Sequence, residues 1–257
     1  MGVFYGGGRK ENVYDSESIS RSLVPANTVP HGWSKVPVRR GHSIIRRVFS
    51  HLRGAGGYYV CGGFARWACS PNDDAAPAGD VDVFCKDETA YTRVTTILDY
   101  QGFKKKHESD IAIEYEPFGW FWQHKIQLQV VKPRKQGKLV AMGTIYDVLG
   151  NFDFSVVRIG LTSLTEAVAD ATFVEDEQKR VLRIREIHCP VGLVGRIAKY
   201  AKKGYAISGP ETYKLFTDWD GRSADYKAKL GGFVQKANAG DITDNEKNEM
   251  YALMRID

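Results

Sequence analysis

Residues 58–84 read YYVCGGFARWACSPNDDAAPAGDVDVF. An apolar run, Tyr58-Tyr59-Val60-Cys61, stops at Gly62-Gly63. A short helix-like piece carrying Arg66 follows, then a loop, then Asp80-Val81-Asp82 inside a second apolar run that ends in Val83-Phe84. Strand, glycine turn and helix start make a place where backbone N–H groups can face a phosphate. Carboxylates two apart on a strand point to one face and offer hard oxygen ligands to a shared divalent cation. An Asp-x-Asp pair alone is common on exposed strand edges, but Val81, Val83 and Phe84 bracket this one and predict a central strand. Together the two halves predict a metal-dependent nucleotide site.

The rest of the chain limits the setting. Its 257 residues are 43% apolar and 26% charged, the make-up of an ordinary globular protein able to bury a sizeable core. No apolar run approaches 18 residues, and no charged segment leads into an apolar one at the start. The expectation is a cytoplasmic protein with no membrane partner. Cys61, Cys69, Cys85 and Cys189 show no C-x-x-C spacing, which predicts buried reduced thiols rather than disulfides or a zinc site. The six histidines do not cluster at metal-ligand spacing either. Net charge is +5, and its distribution is uneven: residues 1–53 hold nine Lys/Arg against three Asp/Glu. That basic N-terminal arm suits contact with nucleic acid or an acidic protein surface, and equally a solvated segment.

Residues 1–40, rich in Gly, Ser, Pro and charge, read as an irregular basic arm. Ile44, Ile45, Val48 and Leu52 recur at helical spacing, and Asp87 can cap a helix carrying Tyr91, Val94, Ile97 and Leu98 on one face. Ile111, Ile113 and Tyr115 alternate with smaller or charged residues, and Ile126, Leu128 and Val130 alternate with Gln127 and Gln129, predicting a strand pair. Trp120-Phe121-Trp122 between them suits core or hairpin-tip packing better than base stacking. A short helix is expected at 144–149, a strong strand at 152–161, a short helix near 172–180 and a strand at 181–187. An amphipathic helix at 193–203 stops at Gly204, and the last fifty residues read as helical pieces broken at Gly209-Pro210, Gly221, Gly231-Gly232 and Gly240. The fold class is α+β: a mixed-sheet core over 41–187 and a helical C-terminal region over 188–257.

Gly62-Gly63, Arg66 and Asp80-x-Asp82 flanked by apolar residues resemble the polymerase-beta-like nucleotidyltransferase superfamily, nearest the Gly-Gly-x-x-Arg branch that includes the tRNA nucleotidyltransferases. The segment Asn151-Phe152-Asp153-Phe154-Ser155 is similar to the one that brings that superfamily's third carboxylate beside the pair. Residues 190–207 are similar to the helix after the catalytic core, where Arg and Lys side chains lie near the nucleotide. The resemblance covers roughly residues 55–210. Departures are a long gap between the glycines and Asp80, read as an insertion at 70–78, Trp67 where the tRNA-processing branch has Asp, and Gln127 and Gln129 where some relatives carry the third carboxylate.

What the resemblance implies is a nucleotidyltransferase that moves NMP from an NTP to an acceptor hydroxyl and releases pyrophosphate. It implies Asp80, Asp82 and Asp153 as catalytic metal ligands for Mg²⁺, with Mn²⁺ as the substitute. Gly62, Gly63, Arg66, Arg196 and Lys199 would hold the nucleotide, ATP being the first choice. RNA, protein and small-molecule acceptors all stay open. So do blander readings: Arg66 as a surface arginine paired with Asp73 or Asp74, Asp153 as a structural residue, and Arg196, Lys199 and Lys203 as a solvated helix face. The whole-chain alternative is a binding or structural module that keeps the fold without catalysis.

Overall fold

The computed structural model describes residues 29–75, 78–117, 119, 121, 126–136, 139–243, 245–246 and 249–250. Most of the basic arm and both Trp120 and Trp122 lie outside these residues. The described chain opens with strand β1 (Trp33–Pro37), helix α1 (His42–His51), β2 (Tyr58–Cys61), α2 (Gly62–Cys69), β3 (Asp80–Cys85) and α3 (Glu88–Tyr100). Strands β4 (Lys105–Glu108), β5 (Ala112–Tyr115) and β6 (Gln127–Val131) follow, then a small hairpin of β7 (Lys135–Gln136) and β8 (Leu139–Val140), and helix α4 (Ile145–Gly150). Next come β9 (Ile159–Leu161), β10 (Glu166–Asp170), α5 (Phe173–Lys179), β11 (Val181–Leu182), α6 (Pro190–Ala201), β12 (Ala206–Ile207), α7 (Gly209–Asp220) and α8 (Ala224–Ala239).

Eight strands form one sheet in the order β1-β10-β9-β2-β3-β6-β5-β4. The β3·β6 pair is parallel and its other pairings are antiparallel, so the sheet is mixed, as the sequence predicts. Alternation along β3 sends Val81, Val83 and Cys85 into the core, where α1 (Ile45, Val48, Phe49), α2 (Phe64, Ala65, Ala68) and α3 (Val94, Leu98) pack against that face. Burying each large apolar side chain here contributes about 1.5–3 kcal/mol. On the other face, α4 lays Ile145, Val148 and Leu149 over Tyr59 and Cys61 and leaves the Asp80–Asp82 end of β3 uncovered by that helix. Sequence marks both helix starts. Asp87 accepts from the Ala90 amide at 2.7 Å, and Thr144 and Asp147 form a reciprocal capping box on α4.

A second apolar cluster joins Phe154, Val156, Leu182, Ile184, Leu193, Tyr200, Tyr205 and Leu215, tying the sheet domain to α6 and α7. Among the described residues no helix is long and apolar enough to cross a membrane. All four cysteines are buried and free, as their spacing predicts.

Four expectations are corrected. Residues 33–37 are not irregular: β1 pairs antiparallel with β10 at the sheet edge, a partner 130 residues away that local sequence does not announce. The apolar run 152–161 is not one strand, because only Ile159–Leu161 joins the sheet. Residues before it turn through a 3₁₀ segment, Ser155–Val157, and exchange backbone hydrogen bonds with 183–185 instead. The strand expected over 181–187 is reduced to Val181–Leu182, paired parallel with β12. Gly231 and Gly232 do not break a helix. A Cβ at either would meet open space, and α8 runs through them from its Ser223 cap to Gly240 in the left-handed region.

Candidate active site

The site begins where β2 ends. Cys61 lies opposite Asp82 in the β2·β3 register, so the glycine turn emerges beside the second aspartate. Gly62 has φ +72°, a conformation that side chains avoid, and a Cβ there would sit 3.4 Å from Asp82 Oδ2 and 3.5 Å from Phe152. At Gly63 φ is ordinary and a Cβ would meet no protein atom within 4 Å. The space beside Gly63 is open, the cradle that an approaching phosphate would need. Gly62 and Gly63 open α2, whose first amides carry the helix's partial positive charge.

Asp80 is exposed and Asp82 half-buried, and their alternation puts both carboxylates on the face away from Val81 and Val83. In the parallel register Asp80 stands opposite Gln127 and Asp82 opposite Gln129, and Gln129 stands in turn opposite Glu114 of β5. Gln127 Nε2 donates to Glu114 Oε2 at 2.8 Å. A polar row therefore crosses three strands. Burial, then the Asp82 charge, raises the Cys61 thiol's pKa well above its usual value, so this cysteine stays neutral beside the pair.

Asp153 does not join that pair in a shared carboxylate cluster. Among the described residues no group of three His, Cys, Asp or Glu converges as a metal site. Asp153 is 7% exposed, and its carboxylate is gripped by Arg196 of α6: Nε lies 2.5 Å from Oδ2, and the second guanidinium nitrogen donates to Oδ1 at 3.1 Å. Backbone pairing of its carbonyl with the Arg185 amide at 2.7 Å fixes the loop that carries it. The expected third ligand and the expected nucleotide arginine are thus each other's partners. One charge-assisted hydrogen bond and a close ion pair join them.

Arg66 is also elsewhere than expected. It is 2% exposed and pairs with neither Asp73 nor Asp74. Its Nη1 donates to the Tyr205 hydroxyl at 2.7 Å and lies 3.4 Å from Glu177 Oε1 on α5. Tyr205 donates in turn to Glu177 at 2.5 Å, and Ser70 Oγ donates to the other Glu177 oxygen at 2.6 Å. Burial opposes the Arg66 charge, but Glu177, then Tyr205 and Tyr200, outweigh it and raise its pKa. The supposed insertion at 70–78 is pinned to this unit: Asn72 donates to the Glu177 carbonyl, Arg40 to the Ser70 and Asn72 carbonyls, and Arg180 holds Asp74.

On α6, Lys199 is exposed and Arg196 half-buried. Lys203 follows the helix, half-buried, its ammonium 5.3 Å from the centre of the Tyr200 ring. Phe121, the described member of the aromatic triplet, packs in the core on Phe103. The residues that sequence reading missed are Glu177 and Tyr205. Tyr205 lies inside the segment that carries the resemblance, whereas nothing local marks Glu177.

In fold the chain matches nucleotidyltransferases. A CCA-adding enzyme solved with CTP aligns over 88% of this chain and 56% of its own, at 13% identity and a TM-score of 0.51. A CCA-adding enzyme solved with ATP aligns over 82% of this chain and 47% of its own, at 14% identity and a TM-score of 0.50. The chain therefore spans about half the length of these enzymes. Its sequence matches no family model and no curated protein. The α+β fold expected from the sequence is the one these solved enzymes share with the chain.

Proposed function

We propose that the protein is a nucleotidyltransferase that moves NMP from an NTP to an acceptor hydroxyl. The observation that carries this reading is the junction of β2, α2 and β3. Asp80 and Asp82 share one face of a central strand, with Gly62 set so that a Cβ there would lie 3.4 Å from the Asp82 carboxylate, and with open space beside Gly63. Two same-face carboxylates suit Mg²⁺, or Mn²⁺ in its place, because magnesium is commonly bound by one or two carboxylates with water and substrate phosphates completing its shell. When bound, such an ion supplies charge neutralisation at the phosphoryl oxygens.

The chain's own groups do the positioning. Amides at the start of α2 hold phosphate oxygens, with Gly63 leaving them room. Lys199 reaches the nucleotide from α6. Arg196 is kept in place by Asp153, and Arg66 acts from behind the site as a buried strut to Glu177. The acceptor oxygen attacks the α-phosphorus, the bond from the α-phosphorus to the bridging oxygen breaks, and pyrophosphate leaves with that oxygen. Holding the two reactants in line is the larger part of the work.

The test is incubation of the full chain with α-labelled NTPs, Mg²⁺ and a panel of acceptors: tRNA, total RNA, lysate protein and small hydroxyl compounds. Label should move to one acceptor class with wild type and fall at least ~10³-fold with Asp80→Ala, Asp82→Ala. Equal labelling by the double variant would remove the metal assignment. No labelling with any acceptor, together with no NTP binding, would favour the non-catalytic module.

A further inference from the structure

Residues 18–72 hold eight Lys/Arg and no Asp or Glu. The protein itself takes up several of these cations. Lys35 pairs with Glu166 across β1 and β10, Arg40 holds the loop at 70–73, and Arg66 is buried on Glu177. Arg46 of α1 and Arg53 just after it are exposed, and among the described residues neither makes an ion pair.

Helix α3 continues this surface. Gln101, at its end, donates Nε2 to the His51 carbonyl at 2.8 Å and accepts from His51 Nδ1 at 2.5 Å. Arg93 Nη1 donates to the Ala55 carbonyl at 3.4 Å, so α3 lies beside α1 and the turn that carries Arg53. Arg93, Thr96 and Tyr100 recur at i, i+3 and i+7 on one face of α3, and all are exposed, Tyr100 at 91%. Lys104 follows, exposed and without an ion pair among the described residues. Asp99 is the one carboxylate in residues 89–107. Both helices pack on the sheet face that Val81 and Val83 enter, so this cationic surface looks away from Asp80 and Asp82.

We propose that the outer face of α1 and α3 tethers single-stranded nucleic acid, with phosphates on Arg46, Arg53, Arg93 and Lys104 and a base stacked on Tyr100. A guanidinium grips phosphate through two parallel hydrogen bonds, and an aromatic ring holds a stacked base whatever its identity. The ring decides between polyanions. An acidic protein would answer the cations, but the bare π-face of a tyrosine exposed beside them suits a base. Because the surface is turned from the aspartate pair, a strand bound there is anchored rather than seated for reaction. The tether goes beyond the proposed transfer and does not depend on it.

The experiment is fluorescence anisotropy of the full chain with a labelled, mixed-sequence single-stranded RNA of about 15 nucleotides, across a salt series. Arg46→Gln with Arg53→Gln removes two cations from the face. Lys229→Gln with Lys236→Gln removes the same charge from α8 and serves as control. Thermal melting confirms that each is folded, and Arg46→Lys with Arg53→Lys restores the charge. We expect the arginine-to-glutamine pair to weaken RNA binding about 10-fold or more and to flatten the log–log salt slope by about 1.4, two phosphate contacts' worth. Tyr100→Ala should weaken binding about 5-fold or more with the slope unchanged, and the α8 control should change it by less than about 2-fold. ATP affinity, measured by calorimetry with Mg²⁺, should be the same in the arginine-to-glutamine pair as in wild type. Wild-type RNA affinity in that pair would overturn the tether, and so would an equal loss in the α8 control, where net charge alone would decide. A parallel loss of ATP binding would overturn the separation from the site. Tyr100→Ala at wild-type affinity would overturn the assignment to nucleic acid. Polyglutamate bound more tightly than RNA through the same arginines would put an acidic protein in its place. A wild-type chain that binds no RNA overturns the tether whether or not label transfer is found.

Discussion

Replacing Glu177 with alanine tests whether Arg66 is a structural strut or a ligand-binding arginine. The Glu177 side chain is wholly buried and accepts from Ser70 at 2.6 Å and Tyr205 at 2.5 Å, with Arg66 Nη1 at 3.4 Å. Its loss would leave a guanidinium that is only 2% exposed without its carboxylate. Removing one partner of a buried pair typically costs about 3–5 kcal/mol. The long Arg66–Glu177 approach and the surviving Tyr205 contact favour the lower end, ~3 kcal/mol. For a chain of this size that lowers the melting temperature by ~6–12 °C. Arg66→Met should cost less, since a stranded buried carboxyl can take up a proton whereas a guanidinium cannot release one. Arg66→Met with Glu177→Leu should recover much of the loss by replacing both partners with apolar groups. Urea and thermal unfolding followed by circular dichroism measure all four proteins. A Glu177→Ala variant within ~1 kcal/mol of wild type would refute the strut. A second refuting result is Arg66→Met that unfolds like wild type yet no longer binds NTP, which would return Arg66 to the phosphates.

Two further outcomes separate structural from ligand roles. Gly62→Ala forces an L side chain into φ +72° against Asp82 and Phe152 and should lose ~1–2 kcal/mol in chemical denaturation, with nucleotide binding falling alongside. Gly63→Ala meets no protein atom and should unfold like wild type yet bind NTP at least ~10-fold more weakly, measured by calorimetry; unchanged binding would empty the proposed cradle. Asp176 supplies a pH test. It is buried, which raises its pKa, but hydrogen bonds from Arg183, Ser155 and Thr172 outweigh burial and hold it below the ordinary aspartate value. A folded-state pKa depressed in this way contributes stability that is fully present above the unfolded value of ~3.9 and is lost as pH falls through the folded one. The stability gap between wild type and Asp176→Asn should stay level near neutrality and shrink below about pH 4 in pH-stepped urea titrations. A gap that widens on acidification would contradict the assignment.

The parts of this site that sequence displays are those whose code is local. Val81 and Val83 alternate with Asp80 and Asp82, and two-residue periodicity alone fixes which face the carboxylates take. Thr144 with Asp147 and Asp87 before α3 announce helix starts within four residues. Gly62 carries its signal in being glycine. What misleads is alternation without a strand: Phe152, Phe154 and Val156 alternate with Asp153 and Ser155, yet the backbone turns through a 3₁₀ segment and only Ile159–Leu161 joins the sheet. Arg66 fails for a different reason. Its place after the glycine turn suggested phosphate, yet its partner Glu177 is 111 residues away on a short helix whose acidic residues look like any solvated face. An arginine's meaning depends on which carboxylate reaches it first, and that is a property of the folded chain. The aspartates and the glycine turn follow from local pattern, while the partners of Arg66 and Arg196 are set by long-range packing that only the folded chain displays.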